Sequence, residues 1–255
     1  MSFERSRDAY DRHVGRYSSA LARALIDRSG VRDGDRALDV GCGPGALTEE
    51  LAARLGAENV AAVDPSHSFV DACRARVPGV DVRIGAAETL PFADDSFDVV
   101  SSQLVVNFMA DARAGVGEMA RVGRRVVSSC VWDYAGEMWM LRRFWEGARD
   151  VDPDAPDEAV TMRYCNRDEL GQLWSEAGLD DVRTGELVVD AAYVDFDDYW
   201  SGFPGGPGPS GAYTAGLDPD RLAEVRAAVR RRLGEPEGPF TLTARAWFVR
   251  GTVGG

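Results

Sequence analysis

The chain has 255 residues, 45% of them hydrophobic and 28% charged, which suits one large globular domain or two small ones. Its formal net charge is −13, and such a field repels nucleic acid and anionic membrane surfaces, so neither is an expected partner. Every basic residue apart from histidine is arginine. The lack of lysine excludes a Schiff-base lysine, a P-loop lysine and a tyrosine–lysine dehydrogenase pair.

Cysteine and histidine usage argues against a metal site. The four cysteines are far apart, and the chain has only two histidines, so a Cys/His zinc site is not expected. Residues 1–7 lack an apolar signal core, and no stretch approaches the roughly 20 apolar residues that a membrane span needs. We therefore expect a cytoplasmic protein with reduced thiols.

Helix and strand signals alternate through the first half of the chain. Apolar residues at three- and four-residue spacing predict a helix over residues 5–29. Strands are predicted at 36–40, 59–63, 80–84, 97–101 and 125–131, with helices at 46–55, from Ser66 or Ser68 to about 76, and at 111–121. Strands separated by helices predict right-handed crossovers and a parallel sheet covered on both faces.

The last third of the chain is less regular. It predicts helices at 168–177, 197–200 and from the cap Asp218 to about 233, and strands at 186–194 and 241–251. The Gly/Pro stretch at 202–209 is predicted to be an active-site loop rather than a domain linker, because too few residues follow it for an independent core. We expect one domain over 1–255, with a helical cap at 1–30 and substrate-side helical and aromatic insertions at 132–165 and 195–235.

The run from Leu38 to Thr48 predicts a buried strand, a glycine turn and the start of a helix. Glycines at 41, 43 and 45 let the backbone turn sharply and let a ligand lie against it. Asp64 ends the second predicted strand about 20 residues further on, where an acid can accept hydrogen bonds from both hydroxyls of a ribose. The alternative role of Asp64 is to cap the helix that follows it.

Four segments occur in a fixed order: residues 38–45, 61–66, 85–92 and 94–104. Together they resemble the class I S-adenosylmethionine-dependent methyltransferases, in the small-molecule (type 11) branch related to quinone methyltransferases. The resemblance implies a Rossmann-like, doubly wound α/β fold with a seven-stranded, mostly parallel sheet and S-adenosylmethionine as methyl donor. It also implies a small-molecule acceptor, such as an aromatic compound or a secondary metabolite, and a monomer or homodimer.

Two other functions stay open at this stage. Residues 41–46 also satisfy the G-x-G-x-x-A pattern of NAD(P)-dependent oxidoreductases on a Rossmann-like fold, with Asp64 at a compatible distance. A non-catalytic S-adenosylmethionine-binding protein would carry the same motifs, because methyl transfer requires no particular catalytic side chain.

The resemblance assigns cofactor contacts along the chain. It implies that the glycine turn lies under the methionine and ribose parts, that Asp39 helps hold the amino group, and that Arg16 pairs with the methionine carboxylate. The predicted cofactor-binding residues are Arg16, Tyr17, Asp39, Gly41, Cys42, Gly43, Asp64, Pro65, Ala87, Glu88 and Gln103. Gln103 is expected to act through its backbone carbonyl, and Ala87 or Glu88 through a backbone N–H to adenine. Two departures from the family pattern are Ala86, where an acid is usual, and the Arg-rich run 121–125 in place of a Pro-Gly-Gly turn.

The aromatic stretch 132–145 is the predicted acceptor pocket, with ordinary core packing as the alternative. The predicted substrate contacts are Tyr10, Trp132, Tyr134 and Trp139. His13 is the candidate general base for an oxygen or nitrogen acceptor, although a lone histidine is usually structural.

Overall fold

The computed structural model describes residues 15–206 and 208–254. The helices are α1 (Gly15–Ser29), α2 (Ala46–Leu55), α3 (His67–Arg76), α4 (Ala112–Val122), α5 (Trp139–Val151), α6 (Glu158–Thr161), α7 (Arg167–Glu176), α8 (Phe196–Trp200), α9 (Gly208–Ala215) and α10 (Pro219–Arg232). The strands are β1 (Ala37–Val40), β2 (Val60–Asp64), β3 (Asp81–Ile84), β4 (Phe97–Gln103), β5 (Gly123–Trp132), β6 (Asp180–Tyr193) and β7 (Phe240–Thr252).

Seven strands form one sheet in the order β3-β2-β1-β4-β5-β7-β6. The strands β1 to β5 pair in parallel, and β7 runs antiparallel to β5. This confirms the predicted α/β fold with a mostly parallel seven-stranded sheet. The strand order reverses between β1 and β4, and open α/β sheets bind ligands beyond the carboxyl ends of the strands at such a reversal.

Local chemistry accounts for most of the element boundaries. β1 and β2 are buried along their whole length, as expected of apolar strands inside a parallel sheet. Both predicted helix caps are confirmed: the Ser66 hydroxyl accepts the N–H of Phe69 at 3.4 Å, and Asp218 accepts the N–H groups of residues 220 and 221.

Strand β6 and helix α9 differ from the sequence prediction. β6 begins at Asp180, six residues before its predicted start. The prediction missed residues 180–186 because they are exposed or half-buried and lack the alternation that starts at Leu187. Helix α9 lies partly in the stretch predicted as a loop. Its Gly, Pro and Ser residues are poor helix formers, but a Cβ on Gly211 would lie 1.8 Å from the Gly206 carbonyl oxygen, so close backbone packing requires glycine there.

The described residues fall into two compact units. The sheet unit comprises 18–132, 163–187 and 246–254, and contains β1 to β5. The aromatic unit comprises 15–17, 133–162 and 188–245 apart from 207, and its core includes stacked Phe144 and Phe203 with ring centroids 4.3 Å apart. The boundaries predicted for the cap and the insertions stay predictions. Across the described part of the chain, none of the helices has the length and apolar character to cross a bilayer.

Candidate functional site

The turn after β1 is built on the end of β2. The N–H groups of Gly41 and Cys42 both donate to the Val63 carbonyl, at 2.8 and 3.0 Å. Gly41 and Gly43 have φ values of +74° and +51°, in the left-handed region that favours glycine. A Cβ on Gly41 would lie 2.5 Å from the Val105 side chain, whereas a Cβ on Gly43 would meet nothing within 4 Å. Gly41 is therefore needed for packing, and Gly43 leaves open space against which a ligand can lie.

Asp64 ties this turn to the start of α3. Its Oδ2 accepts the N–H of Gly43 at 2.9 Å and its Oδ1 accepts the N–H of Ser66 at 2.8 Å. The residue is 6% exposed, and burial raises its pKa above the ordinary aspartate value. Each carboxylate oxygen can accept a further hydrogen bond, so two hydroxyl groups of a ligand could still donate to Asp64.

Asp39 is the second buried carboxylate at the turn, with only 1% of its surface exposed. The Thr48 hydroxyl donates to Oδ2 at 2.6 Å, and Oδ1 is buried without a hydrogen-bond partner among the described residues. Burial raises the pKa of Asp39 to about 7; the hydrogen bond from Thr48 opposes this rise and the charge of Asp64 adds to it. A buried acceptor without a donor is costly, so this oxygen is a candidate ligand contact.

Asp39 and Asp64 also differ from other buried acids in their charged surroundings. Among residues 15–206 and 208–254, no arginine or histidine nitrogen lies within 4.0 Å of a carboxylate oxygen of Asp39 or Asp64. Two buried carboxylates elsewhere do have arginine partners: Asp35 pairs with Arg125 and Asp133 with Arg245. Because an uncompensated buried charge is unfavourable, the turn is suited to a positively charged ligand.

The predicted adenine-side turn lies after β3. Glu88 accepts the N–H of Ala110 at 2.9 Å and that of Asp111 at 3.3 Å through Oε1, which ties this turn to the start of α4. Ala87 is buried, and its methyl carbon would be 3.5 Å from a Cβ on Gly115, so it packs against α4. These contacts involve the side chains, so the predicted hydrogen bond from a backbone N–H of residue 87 or 88 to adenine stays a prediction.

The segment after β4 borders the glycine turn. Gln103 donates through Nε2 to the Ser18 carbonyl of α1 at 3.0 Å. Leu104 adopts a φ of +63°, and its N–H donates to the Cys130 carbonyl at 2.9 Å. Val105 then covers Gly41. The sequence alone predicts neither the side-chain hydrogen bond of Gln103 nor the contact between Val105 and Gly41, because neither has a local signal. The hydrogen bond from Thr48 to Asp39 was not predicted either, although a hydroxyl in the first turn of α2 is a local signal for it.

The side chains of four predicted cofactor residues either contact other parts of the protein or are exposed. Arg16 forms an ion pair with Asp198 and donates to the Ala192 carbonyl at 3.2 Å; Tyr17 is fully buried and its hydroxyl donates to the Leu242 carbonyl at 3.2 Å. The cofactor roles of Arg16 and Tyr17 draw no support from these contacts and stay predictions. The Cys42 side chain packs in an apolar cluster, so only its backbone is available to a ligand. Pro65 is exposed.

The predicted substrate contacts are mostly enclosed. Trp132 and Tyr134 are 2% and 6% exposed, which matches the core-packing alternative. Trp139 is half-buried, and the Arg143 guanidinium lies over its ring at 4.6 Å from the centroid. Tyr10 and His13 lie outside the described residues, so their roles stay predictions.

Comparison with known proteins agrees with this geometry. Residues 38–126, which include most of β1, the glycine turn and β2 to β4, match the family model described as a methyltransferase domain. Over these residues the chain is similar to methyltransferases, in agreement with the four ordered motifs of the sequence. The NAD(P)-dependent alternative finds no support in these comparisons.

Three similar proteins illustrate the relationship. The chain is 28% identical over 274 residues to a malonyl-[acyl-carrier protein] O-methyltransferase of Halorhodospira halophila, a match that covers 98% of this chain and 87% of the relative. It is 32% identical to a ubiquinone biosynthesis O-methyltransferase of Cereibacter sphaeroides over 62% of this chain and 65% of the relative. The crystal structure of a methyltransferase from Aquifex aeolicus superposes with a TM-score of 0.56 at 16% identity, covering 100% of both chains, which shows the shared fold.

The match to longer relatives is partial. Two further curated relatives, at 33% and 34% identity, are each matched over only 34% of their own length.

Proposed function

We propose that this chain transfers the methyl group of S-adenosylmethionine to a small-molecule acceptor. The observation that carries the donor assignment is the pair of buried carboxylates, Asp39 and Asp64, that flank the glycine turn without a cation within 4.0 Å among the described residues. S-adenosylmethionine brings a sulfonium and an ammonium, so its charge complements these acids. A dinucleotide would instead bring an anionic pyrophosphate to the same turn, where two carboxylates repel it.

The residues present fit this donor. Gly43 leaves space for close approach, Asp64 keeps acceptor capacity for ribose hydroxyls, and the orphaned Oδ1 of Asp39 suits an ammonium. When bound, the donor supplies a methyl group already activated by its sulfonium. The chain then needs only to hold donor and acceptor in line, within about 3–3.5 Å, and to exclude water.

The acceptor is proposed from charge and from relatives. A net charge of −13 disfavours RNA and DNA as acceptors. Two of the relatives described above are named as a malonyl-[acyl-carrier protein] O-methyltransferase and a ubiquinone biosynthesis O-methyltransferase. We propose an aromatic compound or another small metabolite. A cytoplasmic location fits the absence of disulfides among the four cysteines.

A matched pair of glycine variants tests the donor site. Gly43 and Gly34 both have positive φ (+51° and +85°), and a Cβ at either position meets no atom within 4 Å. Gly43→Ala and Gly34→Ala should therefore each lose about 1 kcal/mol of folding free energy from backbone strain. Only Gly43→Ala should weaken S-adenosylhomocysteine binding, because its methyl group occupies the surface against which the ligand lies. We expect a loss of affinity of about tenfold or more, measured by titration calorimetry.

Two outcomes would count against the proposal. Equal affinity of both variants would refute the assignment of Gly43 to the ligand surface. No binding by the unmodified chain at millimolar S-adenosylhomocysteine would refute S-adenosylmethionine as the donor. A methyl-transfer assay with isotopically labelled donor over a metabolite panel then tests the activity. Binding without transfer to any member of a broad panel would favour the non-catalytic alternative.

A further inference from the structure

The Gln103 side chain has a fixed orientation with one end unsatisfied. Its Nε2 lies 3.0 Å from the Ser18 carbonyl oxygen of α1. Because a carbonyl oxygen can only accept, the nitrogen of the amide must face Ser18 and the oxygen must face away from it. That oxygen, Oε1, is buried without a hydrogen-bond partner among the described residues. The amide therefore holds α1 with its donor end and presents an acceptor with the other.

The sheet register places this acceptor near the glycine turn. Asp39 of β1 is paired with Ser101 of β4 in parallel register. Side chains alternate along a strand, so Gln103 lies on the same face as Ser101 and, two residues on, is level with Gly41. Asp39 and Gln103 thus bring their orphaned oxygens to the same face of adjacent strands, at the carboxyl edge of the sheet. Two buried acceptors without donors match a ligand group with several N–H bonds, and an ammonium has three.

We propose that Gln103 is a positioning residue that links helix α1 to occupancy of the methyl-donor site. Its Oε1 accepts a hydrogen bond from the ammonium of the bound donor, and its Nε2 holds the Ser18 carbonyl. This inference rests on the proposed function. Donor binding then adds a second hydrogen bond to the amide, at Oε1, which strengthens its hold on Ser18 and stabilises the first turns of α1.

The other end of α1 is anchored without any ligand. The Ser29 hydroxyl is 2.7 Å from that of Ser128, which is 2.8 Å from that of Ser101, and all three are buried. Donor binding should therefore change the first turns of α1 and leave its last turn unaltered. This difference within one helix serves as an internal control.

Hydrogen exchange with and without S-adenosylhomocysteine tests the link. In the unmodified chain, ligand should slow exchange over residues 18–22 several-fold and leave residues 26–29 unchanged. In Gln103→Leu, which has neither acceptor nor donor, the affinity should fall about tenfold and the added protection should disappear. In Gln103→Glu, the carboxylate still accepts from an ammonium but cannot donate to Ser18, so affinity should be kept while the protection of α1 is lost.

A second ligand separates this role from a general loss of structure. 5′-Methylthioadenosine lacks the amino-acid part of the donor, so Gln103→Leu should bind it with unchanged affinity. Weaker binding of both ligands by Gln103→Leu would indicate a structural defect and overturn the proposal. Unchanged S-adenosylhomocysteine affinity in Gln103→Leu, or full protection of α1 in Gln103→Glu, would also overturn it. Failure of the unmodified chain to bind either ligand would instead refute the proposed function.

Discussion

Two buried carboxylates of the aromatic unit and two at the glycine turn of the sheet unit are held in different ways. In the aromatic unit, Asp133 pairs with Arg245 at 2.7 Å, and Asp157 lies 3.3 and 3.0 Å from nitrogens of Arg142 and Arg149. At the glycine turn of the sheet unit, the partners of Asp39 and Asp64 within residues 15–206 and 208–254 are neutral hydroxyl and amide groups. A buried acid that already has its cation holds the fold together, whereas one without a cation is available to a charged ligand.

The contrast is one of site rather than of unit. Asp35, in the sheet unit but before β1, pairs with Arg125. Glu158, in the aromatic unit, has no arginine partner among the described residues and accepts the Trp145 indole N–H at 2.8 Å. Burial raises the pKa of Glu158 to about 7, as it does for Asp39. Lack of a cation therefore suggests a ligand site only where an orphaned acceptor and open ligand space accompany it, as at the glycine turn.

The largest expected effect is on the paired acid. Asp133→Asn leaves the Arg245 guanidinium without its buried counter-charge and should lower the free energy of unfolding by about 3 kcal/mol, measured by urea titration. S-adenosylhomocysteine affinity should not change. Glu137→Gln is the matched control, because Glu137 pairs with the same arginine at 2.8 Å but is 42% exposed, and it should cost less than about 1 kcal/mol. Equal losses in the two variants would break the distinction between buried and exposed pairs.

An intermediate effect is expected for Asp64→Ala. The variant should weaken S-adenosylhomocysteine binding by about 1–3 kcal/mol in calorimetry, because the assigned acceptors of the ribose hydroxyls are removed. Its stability should also fall, since Gly43 and Ser66 lose the acceptor for their N–H groups. Asp64→Asn, which keeps one acceptor oxygen, should be the milder variant. An unchanged affinity in Asp64→Ala would refute the ribose assignment.

The smallest expected effect is the pH dependence of stability that comes from Asp39 and Glu158, two buried acids with raised pKa values. The folded-state pKa of Asp39, about 7, lies above its unfolded value of 3.8, so the folded state binds the proton more tightly. The free energy of unfolding should therefore fall as pH rises from about 4 to 7, and Asp39→Asn should remove on the order of 1–2 kcal/mol of this fall. Glu158→Gln should likewise reduce the fall in the free energy of unfolding between pH 4.5, the unfolded pKa of Glu158, and about pH 7.

Ligand binding distinguishes these two variants. S-adenosylhomocysteine affinity should rise between pH 5.5 and 8, about severalfold, because ionised Asp39 attracts the ligand ammonium. Asp39→Asn should abolish this rise, whereas Glu158→Gln should retain it. Calorimetry across this range checks both expectations. If the rise were lost in Glu158→Gln but kept in Asp39→Asn, the titrating acid would be Glu158 and the assignment to Asp39 would be wrong.

Local patterns predicted the elements that position the site. The strand, turn and helix from Leu38 to Thr48 were predicted from apolar residues, glycine spacing and a helix start, and Ala46–Leu55 is a helix as predicted. Errors occurred where local chemistry is weak, as in the glycine-rich helix α9 and the polar start of β6. Arg16 and the aromatic residues after 131 were assigned to ligands because their chemistry suits ligands. Their observed partners are other parts of the protein, and their ligand roles stay predictions.

The amino-acid sequence by itself determined the α/β alternation, the glycine turn and the acid that follows β2, because these depend on residues close together along the chain. Only the tertiary structure decided which buried acids are paired and which side-chain oxygens are orphaned. Asp133 and its arginine are 112 residues apart, and Gln103 and Ser18 are 85 apart. Contacts over such separations depend on how strands and helices pack, and no periodicity in the sequence encodes them.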